Sequence, residues 1–400
     1  MIDKVNTQQC CLCGNCKLVC PTQAISFRDE VKTFLYPIID NEKCIGCDKC
    51  ESVCPSLNSL ERQTVVGSFA AKHKQKEIRR KSSSGGIFTA LAECILLAGG
   101  IVYGAAFQND FSVKHISINK TEDIEQLRGS KYVQSDLDSI FLEIKKKLHT
   151  GKKVLFSGTP CQCAALKAFL KDTPYNGKLY VVDFICHGIL SDKLFHEYIR
   201  ELEIKHKSKI VSFQFRNKKY GWLDSGPLIK YQNGREDYWP LFEDIYMQGY
   251  FQGICMRESC YKCAYKNFQS GTDLTMGDFW GAQQLIPDFY EKSGVSLLYV
   301  NTAHGQELLE QAKQYLDLKP VAVETLARYN QGLLRPFEKG KKSDEYYCLA
   351  ERKGNIVALK EITQISKIEQ CKRLYRRMRR FISMRREENK NGKRSFAEFN

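Results

Sequence analysis

The sequence predicts an α/β protein (α+β overall): a small α+β module, then a larger α/β domain with a mostly parallel or mixed sheet, then a basic helical C-terminal tail. Three observations carry that expectation. Nine of the eighteen cysteines fall between residues 10 and 54, eight of them in a pattern stated twice. From residue 65 onward, short apolar runs alternate with helical runs, the signature of strands joined by helical crossovers. Positive charge gathers at the end, where residues 371–400 hold eleven Lys and Arg against three Glu. The expected domains are residues 1–60, 61–335 and 336–400, the last being a polar linker and an amphipathic tail.

The first module is read from its cysteines. Cys10, Cys13, Cys16 and Cys20 precede Pro21, and Cys44, Cys47, Cys50 and Cys54 precede Pro55, so both copies read C-x2-C-x2-C-x3-C-P. This is the bacterial ferredoxin run for two [4Fe-4S] clusters, in which the fourth cysteine of each copy crosses to the other cluster. One cluster therefore takes Cys10, Cys13, Cys16 and Cys54, and the second takes Cys44, Cys47, Cys50 and Cys20. Zinc ribbons want paired C-x2-C knuckles, which four cysteines in a row ending in proline do not supply. Cys11 is the spare thiol, because choosing it would spoil the spacing.

Composition bounds the rest. The 400 residues are 43% hydrophobic, and the first residues carry no basic-plus-apolar signal segment, which points to a reducing cytoplasm rather than a disulfide scaffold. The apolar stretch 86–107 contains Glu93 and is broken at Gly99-Gly100, so a buried helix and strand are expected there, not a membrane span. The net charge of +15 is concentrated in the tail, which argues against a nucleic-acid face.

A strand is expected at 65–71, then a solvated charged run. Ser82, Ser83, Ser84, Gly85 and Gly86 open directly into an apolar helix. Hydroxyls and glycines at a helix start make an anion cradle, and equally a serine cap with a tight turn. Strands are expected at 101–107 and 113–118, followed by a second small-residue turn, Gly129-Ser130-Lys131-Tyr132, that carries a cation.

Two α/β units follow. The strand 154–156 ends in Ser157-Gly158-Thr159-Pro160-Cys161, and the strand 179–185 ends in Cys186-His187-Gly188. Both cysteines thus lie past the carboxyl ends of strands, where open α/β sheets bind ligands. Farther on stands Cys260-Tyr261-Lys262-Cys263, which alone is a redox dithiol, half a zinc site or half a cluster site. Counted with Cys161 and Cys186 it completes four thiolates, and a third [4Fe-4S] cluster is inferred, with Cys255 as the substitute ligand. Cys94, Cys163, Cys348 and Cys371 are assigned to structure. A hairpin turns at Asn233-Gly234, and residues 241–252 form an aromatic core helix. In the tail Ile365, Ile368, Cys371, Tyr375, Met378 and Ile382 follow helical spacing among arginines, a helix suited to an anionic membrane surface or to docking on protein.

The ordered set SSSGGIFTAL, GSKY, FSGTPCQ, ICHG, CYKC and DLTMGDFWG, spread over about residues 65–281, resembles the coenzyme F420 hydrogenase/dehydrogenase beta-subunit family. That family's members are iron-sulfur flavoproteins. The resemblance implies FAD, held by the turns at Ser82 to Gly86 and Gly129 to Tyr132 with Thr159 and Pro160, and it supports the third-cluster reading. No G-x-G-x-x-G follows a strand, so the flavin would not sit in the Rossmann manner.

A flavin would connect one-electron clusters to a two-electron substrate. The expected function is an iron-sulfur flavoprotein oxidoreductase, exchanging electrons between a ferredoxin-type donor or redox partner subunit and a small-molecule substrate. Lys131, Tyr132 and His187 are the candidates for tuning the flavin or moving a proton. The competing expectations are a non-catalytic electron-relay subunit and a flavin-free binding domain with a zinc site. The expected location is cytoplasmic, with peripheral contact at the inner membrane face through the tail. Substrate, direction and oligomeric state are not assigned.

Overall fold

Thirteen strands and the helices between them make up the computed structural model, which describes residues 2–363. The N-terminal module is a hairpin, β1 (Ile25–Val31) and β2 (Phe34–Ile39), with the short helices Asn15–Leu18 and Lys49–Ser52. Its small core packs Ile2, Ile25, Cys16 and Cys54.

The large domain is built on eight strands: β3 (Gly67–His73), β4 (Ile101–Phe107), β5 (Val113–Ile118), β6 (Val154–Gly158), β7 (Leu179–Phe184), β11 (Leu274–Asp278), β12 (Ser296–Val300) and β13 (Leu316–Pro320). Their order is β13-β3-β12-β11-β7-β6-β4-β5. The central four, β11, β7, β6 and β4, are parallel, and antiparallel neighbours flank them, so the sheet is mixed. Successive residues serve opposite layers, as the period of two demands. Leu155, Tyr180 and Val182 pack on the helices Ile87–Leu97 and Ala303–Ala312, whereas Val154, Phe156 and Val181 pack on Ile140–His149 and Pro160–Phe169.

A separate antiparallel sheet, β8 (Ile210–Asn217), β9 (Gly226–Tyr231) and β10 (Glu236–Tyr238), is covered by the helices Asp192–His206 and Ile245–Phe251. Residues expected to form a polar linker from 336 onward behave differently. Ser343–Lys353 and Asn355–Ile362 are helices, and Tyr346, Ile356, Leu359 and Ile362 join the same core. The burial follows helical spacing, but Lys and Glu between these positions mask it in the sequence. The tail residues Ile365 to Ile382 lie outside the described part. Among the described residues no helix is long and apolar enough to cross a membrane; residues 86–107 form a helix and a strand, as expected.

Candidate redox site

The four parallel strands end at one edge of the sheet, and the cysteines gather there. Cys161 stands in the first turn of Pro160–Phe169, whose start is fixed by a capping box between Thr159 and Gln162. Cys186 follows β7 by two residues. Cys260 lies in the short helix Glu258–Tyr261, and Cys263 follows it. These four thiols, with Thr159, Pro160 and Cys11, line one cavity of about 380 Å³.

Polar groups converge on these sulfurs. Thr159 Oγ1 is 3.1 Å from Cys161 Sγ, and the Gly188 N–H donates to Cys186 Sγ at 3.4 Å. Lys266 Nζ donates to the carbonyls of Cys186 and Gly332. Gly188 is required: its φ is +125°, and a Cβ there would meet Met256 Sδ at 2.5 Å. Burial pushes the Cys186 thiol up to about 12, with the Lys266 charge pulling the other way. Loss of the thiol proton would therefore accompany metal binding.

The N-terminal thiols fall into two further groups. Cys10, Cys13, Cys16 and Cys54 line one hollow, and Cys20, Cys44, Cys47 and Cys50 line another. These are the two sets that the crossed spacing groups together. No three His, Cys, Asp or Glu side chains among the described residues converge closely enough to ligate a single ion. Thiols set around a hollow suit a four-iron cube with one thiolate per iron instead.

Arg257, which no motif marks, joins the module to the domain. It is fully buried and donates to Cys10 O at 2.9 Å, Gln134 Oε1 at 3.0 Å and Leu35 O at 2.8 Å. Its guanidinium also faces the Tyr36 ring, 4.5 Å from the centroid. Asn15 Nδ2 adds a bond to Ala165 O at 2.8 Å, and Lys32 pairs with Glu258.

The two small-residue turns meet. Ser83 Oγ accepts from Ser130 N–H at 2.7 Å and from Ser130 Oγ at 2.8 Å. The other serines turn inward: Ser82 Oγ donates to Ile78 O and Ser84 Oγ to Val295 O, while the Gly85 N–H is taken by Ser296 Oγ. Much of the expected cradle is thus internal packing. Tyr132 lies beside Ser130 in a chain of neighbours that continues through Arg216 to Asp278. Arg216 pairs with Asp278 at 2.6 Å, and Trp222 Nε1 donates to the same carboxylate at 2.8 Å. Trp280, 43% exposed, stacks on Trp222 and under Arg216.

Lys131 is half-buried beside this chain. Its ammonium meets the carbonyls of Leu127, Arg128 and Gly129 and lies 5.8 Å from the Phe107 ring centroid, and burial lowers it to about 7. His187 is lowered to about 4, by burial first and by Lys266 second; it packs against Gly332, where an added Cβ would strike its ring. Cys255, the expected substitute ligand, sits in the apolar core and lines no part of the cavity. Cys94 and Cys163 are buried among helix and strand side chains, and Cys348 is exposed.

Paired cluster-type cysteine runs docked on the cysteine-bearing edge of an α/β sheet define an iron-sulfur electron-transfer protein. Known families agree with that class. The 4Fe-4S dicluster domain matches residues 9–58, and a second dicluster description matches 36–95. The N-terminal description of the coenzyme F420 hydrogenase/dehydrogenase beta subunit matches residues 68–141, and its C-terminal description matches 151–324. The chain belongs to this beta-subunit family.

Among curated relatives it is similar to the coenzyme F420-dependent sulfite reductase of Methanocaldococcus jannaschii, 27% identical over 84% of this chain and 50% of that protein. It is also similar to one subunit of the F(420)H(2) dehydrogenase of Methanosarcina mazei, 23% identical over 54% of this chain and 63% of that one. The chain therefore spans about half to under two thirds of the length of these relatives. A chain of the F420-reducing [NiFe] hydrogenase complex from Methanosarcina barkeri aligns with a TM-score of 0.48 and 20% identity, covering 73% of this chain and 93% of that one.

Proposed function

We propose that the chain is an iron-sulfur flavoprotein subunit that exchanges electrons between its clusters and a two-electron organic substrate. The observation that carries this reading is the convergence of Cys161, Cys186, Cys260 and Cys263 on one cavity, against which the ferredoxin-like module is docked. A third [4Fe-4S] cluster fits that donor set, four thiols from three segments in a buried setting.

FAD fits the neighbouring constellation. Lys131 is a half-buried cation without a carboxylate partner among the described residues, which favours a phosphate oxygen. The exposed face of Trp280, backed by the buried Arg216 that pairs with Asp278, offers a flat surface for a ring system, with Tyr132 close by. A bound flavin would supply interconversion of one-electron and two-electron transfer. Asp278 keeps Arg216 charged and fixed, while His187 stands neutral beside Cys186 with a ring able to take part in proton transfer.

The names of the relatives favour a deazaflavin of the F420 type as the substrate class, with a further subunit or domain as the electron partner. Reduced F420, NADH and a reduced ferredoxin, offered in turn to anaerobic protein, test this. Bleaching of the cluster and flavin absorbance by reduced F420 alone supports the deazaflavin reading. Bleaching by ferredoxin alone, with no organic acceptor reoxidising the protein, supports the relay reading instead.

A further inference from the structure

We propose that Cys11 belongs to the third-cluster site, as a reserve ligand that takes the iron corner of Cys161 when that thiolate is lost. The inference rests on the third-cluster reading above.

Cys11 falls outside the spacing of the ferredoxin run, and the fold gives it a different direction. Cys10 and Cys13 line the first N-terminal hollow, whereas Cys11 lines both that hollow and the larger cavity of the α/β domain. Its loop is held at three points. Arg257 Nε binds Cys10 O at 2.9 Å, Gln134 Nε2 binds Cys11 O at 3.1 Å, and Leu12 adopts the left-handed region with φ +54°. Non-glycine residues seldom adopt that region, so the surrounding bonds must enforce it. Arg257 also donates to Gln134 Oε1 at 3.0 Å, tying two of these restraints together.

The consequence is that Cys11 reaches across the domain junction into the cavity that Cys161 lines. Five thiols thus face one cavity where a four-iron cluster needs four. With all four ligands in place, the Cys11 S–H would face the ligand sulfurs across the shared cavity, and hydrogen bonds to ligand sulfur tune a cluster's potential. Ligand exchange balances without redox chemistry. Cys11 would replace Cys161 as the thiolate holding one iron, and the Cys11 proton would pass to the released Cys161 thiolate. In a chain lacking Cys161, that proton goes to solvent as iron binds. Cys255 cannot play this part, since it is enclosed in the apolar core.

The test uses full-length protein purified anaerobically. Cys11→Ala and Cys161→Ala should each keep about twelve irons, and the double variant should fall to about eight while the N-terminal pair stays intact. About eight irons in Cys161→Ala overturns the proposal. Should Cys161→Ala fail to fold, Cys11→Ala still decides: loss of the S–H donor should move the third cluster's potential in the negative direction, and Cys11→Ser should restore part of it. An unchanged potential in Cys11→Ala removes Cys11 from contact and overturns the proposal. About eight irons in the wild-type chain is a distinguishable result, removing the third-cluster reading itself and the inference with it.

Discussion

Arg257 Nε donates to the carbonyl oxygen of Cys10 at 2.9 Å, linking a residue three positions before Cys260 to the first thiol of the ferredoxin run. The same guanidinium holds Gln134 and Leu35, so one side chain fastens the N-terminal module against the third cavity. All three acceptors are neutral. The anionic character of thiolate-bound clusters on either side would offset the cost of burying this charge. Arg257→Met should cost about 3 kcal/mol, because buried carbonyls lose a charged donor. Hydrogen exchange should then show residues 10–55 opening independently of the sheet, and unchanged exchange there would contradict the docking role.

Asp183, at the end of β7, is almost fully buried and its Oδ1 has no partner. Burial raises its carboxyl to about 6, against the Ser270 hydroxyl, which donates to Oδ2 at 2.6 Å. The folded state therefore holds a proton that the unfolded state releases near pH 4. Stability is full below that pH and falls as pH rises through about 6, by about 3 kcal/mol. Asp183→Asn should remove this slope, so that the variant gains on wild type in urea unfolding at pH 8 and not at pH 4.

Lys131 gives ligand binding its own pH dependence. Lowered to about 7 by burial, it is charged below that pH and neutral above it. If it meets a phosphate of FAD, flavin affinity should decline as pH rises past about 7. Lys131→Met should weaken binding about tenfold at pH 6, a difference of ~1.4 kcal/mol, and flatten the profile. Fluorescence titration of released and rebound FAD gives both quantities.

Leu359 is fully buried in the helix Asn355–Ile362, where its methyls fill the space beside Gly249. Leu359→Ala should cost about 3 kcal/mol by opening a cavity. Thermal unfolding checks it, and a neutral result would mean that residues 343–362 are an appendage rather than core.

Much of the site was legible because cysteine spacing and strand ends are local signals. The two N-terminal sets line two hollows and the four sheet-edge thiols line one cavity. The strands 101–107 and 113–118 are also where alternation places them. What escaped depends on distant partners. Nothing around Arg257 forecasts contacts with Cys10 and Leu35, and nothing near Asp278 names Arg216 as its partner. Cys11 looks spare in the sequence because spacing describes one module, while the cavity it shares with Cys161 belongs to another. The serine turn misled in part: its composition suits an anion, yet two of its hydroxyls and the Gly85 N–H serve β12 and the preceding helix.

The central claim is that Cys161, Cys186, Cys260 and Cys263 hold a third cluster beside a flavin. Iron, labile sulfide and flavin assayed on one anaerobic preparation test it most directly, with Cys260→Ser alongside. The account predicts about twelve irons and one FAD per wild-type chain, and about eight irons in the variant with the N-terminal pair retained. About eight irons in both, or a full complement surviving in Cys260→Ser, would contradict it.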